Sequence, residues 1–179
     1  MTAAEFSRPV RIDGIGEPRA MAIAAEPEER AALARRFGLL ALDRLEAELM
    51  LSRSGDEISL HGTLQASVVQ ACAATAVPVP AELAVPFDVF FRPLVETRSE
   101  EEEEIELSES EMDVVFYEKA EIDVGEAVAE TLLLNLDPYP RAPDAEEILK
   151  AAGVKGEGEE EIGPFAALAA LKDRLKGTD

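Results

Sequence analysis

His61 and Cys72 are the only imidazole and the only thiol in this 179-residue chain. Between them they exhaust the ordinary candidates for soft-metal ligation and for a nucleophile–base pair. A structural zinc site needs four such ligands converging, which two residues cannot supply. The alternating pattern around them also sets them on opposite parities of one strand. Cys72 therefore reads as a small buried hydrophobe, and His61 as a solvent-facing histidine with no evident partner. Gly14-Ile15-Gly16 lacks the strand-to-helix turn and the following Lys-Ser/Thr of a phosphate loop. The run Glu100–Glu104 offers carboxylates for a loosely held divalent cation. A calcium loop needs defined ligand spacing and a turn glycine, so a solvated, self-repelling loop is the plainer reading. Among 38 acidic residues no pair stands out for acid–base work. No catalytic residue, cofactor or metal site is expected, and the chain reads as a non-enzyme.

Charge narrows the partners. The 38 acids face 17 Lys+Arg, a formal net charge of −21. Residues 1–90 carry 13 acids and 8 bases, all arginine, whereas residues 91–179 carry 25 acids and 9 bases. The overall field therefore repels nucleic acid, because phosphate contacts need a positive surface. A local positive face built from Arg8, Arg11, Arg19, Arg30, Arg35 and Arg36 stays open as an alternative. The apolar fraction of 47% argues against wholesale disorder. One cysteine rules out an intrachain disulfide, and the first residues show no signal-peptide core. No stretch approaches the ~18 apolar residues of a membrane span. A soluble, cytoplasmic protein is expected.

The elements that would carry these residues follow from periodicity. Val10 and Ile12 alternate with Arg11 and Asp13, and Ala20–Ala24 suggests a second short strand. Pro27, Glu28 and Glu29 suit a helix start, and Gly38 suits its end. Leu45, Ala47, Leu49 and Leu51 keep a two-residue period that favours a strand, although 39–51 also contains good helix formers. After the Ser54-Gly55-Asp56 turn, Ile58, Leu60, Leu64, Ala66, Val68 and Cys72 share one parity, until Pro78 and Pro80 end the run. Leu83, Val85, Phe87, Val89 and Phe91 make a third alternating face, stopped by Pro93. Three such runs with short turns predict an antiparallel meander. Residues 96–113 hold ten acids and one base and read as a mobile acidic loop, with Val114–Tyr117 a returning strand. Asp123 and Glu126 suggest a capping box for the next helix, whose added Leu133, Leu134 and Leu136 suggest burial on more than one side. Asp144 starts a short helix that stops before Gly153. Residues 153–163 form a Gly/Glu linker, and 164–176 a last helix with Pro164 in its first turn and Phe165, Leu168, Leu171 and Leu175 as its stripe. That helix suits docking on a partner and packing on its own domain equally well.

Three segments together resemble the YceD family, the large ribosomal RNA subunit accumulation proteins of bacteria. Gly62–Thr75, followed by Val77-Pro78-Val79-Pro80 and the Phe87–Phe91 strand, is similar to the family's strand ending in cysteine, two residues, then Cys or Thr. Ile122–Pro140 resembles its helix with a glutamate before an apolar run and a proline-rich exit. Gly163-Pro164-Phe165-Ala166, continuing to Leu168, Leu171 and Lys172, is similar to its terminal Asn-Pro-Phe-Ala pattern. Thr75 stands where many members have a second cysteine, and no cysteine follows Pro140, so no metal or redox role is carried over. Gly163 in place of asparagine removes a side-chain cap. The resemblance implies a part in accumulation of the large-subunit ribosomal RNA, without a catalytic activity.

The expected fold is therefore α+β: an antiparallel β-meander open to barrel-like curvature, two or three packing helices, and a C-terminal helix on a flexible tether. Residues 1–152 form the domain. The expected partner is a basic ribosomal or ribosome-assembly protein, steered by Glu100, Glu101, Glu102, Glu103 and Glu104 and anchored by Pro164, Phe165, Leu168, Leu171 and Lys172. Direct ribosomal RNA binding through the N-terminal arginines is the alternative.

Overall fold

The computed structural model describes residues 4–94, 114–117 and 120–154. In chain order these form β1 (Pro9–Arg11), a 3-10 turn (Ile12–Gly14), β2 (Arg19–Ala24), α1 (Pro27–Phe37), β3 (Ala41–Ser54), β4 (Glu57–Ala71) and β5 (Pro78–Pro93). There follow β6 (Val114–Tyr117), β7 (Glu121–Asp123), α2 (Val124–Leu134) and α3 (Ala145–Ala151). The fold is α+β, with a five-stranded sheet in the order β2-β3-β4-β5-β6 and a two-stranded β1-β7 sheet.

The alternating runs become the three long strands. Leu45, Ala47, Leu49 and Leu51 of β3 face inward with Ile58, Leu60, Leu64, Ala66 and Val68 of β4, and with Phe87, Val89 and Phe91 of β5. The parity of β3 changes once, at a bulge between Leu42 and Arg44 that lets both Leu42 and Leu45 turn inward. Leu33 of α1 and Val124, Val128 and Leu132 of α2 complete this core. Each such leucine contributes about 1.5–3 kcal/mol on burial.

The expectation of barrel-like closure is corrected. The sheet does not close into a barrel, because β2 and β6 stand at its two edges and each pairs with one neighbour only. Helices α1 and α2, packed on β3 and β4, cover the inner face instead. The returning strand expected at Val114–Tyr117 is present as β6, and it pairs with Phe90–Pro93 of β5 in parallel. A parallel neighbour needs a crossover of a dozen or more residues, and 94–113 supply that length.

Pro78 and Pro80 do not merely end β4; with Pro86 and Pro93 they lie within β5. Pro78, Pro80 and Pro86 share one parity, so their missing N–H groups all fall on the same side of the strand. β4 pairs with the whole of β5, whereas β6 reaches only Phe90–Pro93. The three prolines are thus tolerated on an edge that no described strand occupies.

Helix ends obey local rules. Pro27 opens α1, and Gly38 closes it in the left-handed conformation at φ 67°. Asp123 caps α2 by accepting from the Gly125 and Glu126 amides. The same carboxylate accepts from Ser7 Oγ and from the Arg8 amide, so the N-terminal strand is strapped to the start of α2. The Glu126 side chain does not complete a capping box there, because it is bound to Arg36.

Candidate functional site

Glu100–Glu104 and Pro164, Phe165, Leu168, Leu171 and Lys172 lie outside the described residues, as do the acidic loop 96–113 and the C-terminal helix. The six N-terminal arginines lie within them, and they do not form a free positive face. Arg8 grips Glu29 with two hydrogen bonds of 2.7 and 2.8 Å. Arg11 pairs with Asp13 at 2.6 Å. Arg36 bridges Glu126 and Glu5, at 2.6 and 3.1 Å. Arg30 donates to the Ala25 carbonyl at 3.1 Å. Among the described residues, only the side chains of Arg19 and Arg35 in this set have no such partner. The two stand on different elements, β2 and α1.

His61 has a partner that its sequence neighbours do not reveal. It faces Asp88 across the β4–β5 ladder, and its Nδ1 meets the Asp88 carboxylate. The pair is exposed on the outer face of the sheet. The nearby Ser59 hydroxyl bonds Ser52 instead, at 2.6 Å, so no serine–histidine relay is assembled.

Cys72 lies just past the end of β4 and is 3% exposed. It packs with Ala142 and Ala145 at the start of α3. The Ala142 amide donates to its sulfur at 3.4 Å and chiefly accounts for a thiol drawn down to about 7. Alongside, the Ala73 amide donates to the Pro140 carbonyl at 2.7 Å, so the turn after β4 holds the exit from α2.

An apolar groove rimmed by carboxylates lies between β6 and α2. Val115, Phe116, Ala127 and Leu134 give it an apolar floor, and Glu121, Glu126 and Glu130 supply its charge. Phe116 is 61% and Leu134 81% exposed, which is high for side chains of this size. Among the described residues no Lys or Arg lines either of the two adjoining hollows that make up this groove. Partial burial, with the Glu126 charge nearby, raises the Glu130 carboxyl above the usual range. The wide apolar arc expected from Leu133, Leu134 and Leu136 is met in part: Ala127, Val128 and Ala129 are all buried and Leu136 packs against the core, whereas Leu133 and Leu134 are exposed.

Comparison with family models matches residues 60–172 to the large ribosomal RNA subunit accumulation protein YceD. That is more than half of the chain. The chain belongs to the YceD family. Comparisons with curated proteins and with solved structures found no match. The YceD family is described by accumulation of the large-subunit ribosomal RNA, not by an enzymatic reaction. Within the YceD match, the Cys72–Thr75 turn and the Pro140–Ala142 exit touch, so two of the resembling segments share one structural corner. Most of the groove between β6 and α2 also falls inside it, apart from Ser7 and Pro9, whereas β1 to β3 and α1 precede it. Among the described residues no group of three His, Cys, Asp or Glu side chains could hold a metal ion. None of the described helices is long and apolar enough to cross a membrane.

Proposed function

We propose that this chain supports large-subunit ribosomal RNA accumulation as a non-enzymatic factor that binds a basic ribosomal or assembly protein. The observation that carries this reading is the pairing of the N-terminal arginines. Arg8, Arg11 and Arg36 are held by Glu29, Asp13, Glu5 and Glu126, so an RNA phosphate would have to displace a carboxylate from each. It would do so against a net charge of −21. A lysine- and arginine-rich protein meets the opposite situation, being drawn toward the acidic second half and above all toward Glu100–Glu104.

The reading is tested by retention of purified large-subunit ribosomal proteins on the immobilised full chain. Binding is expected at low salt, weakening as ionic strength rises. A chain lacking 96–113 is expected to bind more weakly. Unchanged retention after that deletion would remove the role assigned to the acidic run.

A further inference from the structure

We propose that the groove between β6 and α2 is occupied by the chain's own C-terminal segment, residues 164–176, lying antiparallel to α2. The groove sets the chemistry of its occupant. Its floor of Val115, Phe116, Ala127 and Leu134 calls for an apolar stripe. Its carboxylates call for cations: Glu126 already holds Arg36, whereas Glu121 and Glu130 have neither a hydrogen bond nor an ion pair among the described residues.

Two long segments of the chain lie outside the described residues, and their charges discriminate between them. Residues 95–113 carry ten acids and one arginine, which the groove's carboxylates repel. Residues 164–176 carry Lys172, Arg174 and Lys176 against the single Asp173. They also place Phe165, Leu168, Leu171 and Leu175 at helical spacing.

The tether before this segment is long. Leu134 and Pro140 are six positions apart, which limits that distance to roughly 20 Å. Pro140 is fixed at the corner where α3 begins, and eleven residues lead from Val154 to Phe165, spanning up to roughly 36–40 Å when extended. Charge sets the direction, since antiparallel docking brings Lys172, Arg174 and Lys176 toward Glu130 and Glu126 rather than away from them. Phe165 then lies by Leu134, and a helix places Lys172 about 10 Å further on, beside the Glu130–Glu126 end of α2. The basic end of the segment thus meets the acidic end of the groove. This docking needs no partner protein and stands or falls separately from the proposed function.

The chain contains no tryptophan, so F165W in the full chain gives a reporter without background. Its emission is expected at short, buried-type wavelengths, independent of protein concentration, and displaced toward the solvent value by the added substitution L134A. E130K is expected to displace it likewise, and the charge exchange E130K with K172E to restore it. Circular dichroism of each variant separates loss of docking from loss of fold. Three results would overturn the proposal: solvent-like emission in F165W alone, a buried signal indifferent to L134A and E130K, or one that grows with concentration and so reports a second copy.

Discussion

Gly125 shows how much a single position can decide. A Cβ there would overlap the Phe6 carbonyl oxygen and crowd the Arg8 amide at 3.0 Å, because the N-terminal strand lies directly on the first turn of α2. Gly125→Ala is expected to cost about 2 kcal/mol, since the obstruction is backbone and cannot rotate away. Urea denaturation would show it as a lower midpoint with an unchanged slope. Residue-level facts were legible in the sequence where they depend on near neighbours. The parity of His61 and Cys72, the Pro27 start and the Gly38 stop are of that kind. The His61–Asp88 contact was not, because it spans 27 positions and needs the β4–β5 register to be known. The same holds for Cys72 and Ala142, 70 positions apart.

Among the elements, the N-terminal strand is held by polar contacts as much as by its short pairing with β7. Arg8 is the main fastening: its guanidinium binds Glu29 of α1, donates to the Ala24 carbonyl at 3.1 Å and lies 4.6 Å from the centre of the Phe6 ring. The Arg8 hydrogen bond holds the Glu29 carboxyl below the usual carboxylate range. A carboxyl depressed in the folded state stabilises fully above its unfolded value, and that contribution disappears as pH falls through the folded one. Glu29→Gln is therefore expected to lose about 1 kcal/mol near neutral pH, and the difference from the unchanged chain should vanish in acid. Paired denaturation curves from neutral pH down to about 3 would check it. Element types were legible because the period-2 runs of β3, β4 and β5 are long. Partners and directions were less so. The parallel placement of β6 depends on what crosses between Pro93 and Val114, and strand periodicity carries no information about that route. The bulge at Leu42–Arg44 likewise hides in the sequence as an ordinary break between two alternating stretches.

For the whole molecule, the distribution of charge matters more than its total. The −21 is concentrated in residues 91–179, and the less acidic first half neutralises several of its arginines internally. Those pairings were invisible to composition, because Arg36 and Glu126 stand 90 positions apart and meet only through the packing of α1 near α2. The route proposed to large-subunit ribosomal RNA accumulation runs through a protein partner rather than through the RNA itself. Filter binding of the full chain to protein-free large-subunit ribosomal RNA, at low and then moderate salt, tests this most directly. No retention is expected even at low salt, where phosphate contacts are strongest. Retention at low salt that declines as salt is added would contradict it.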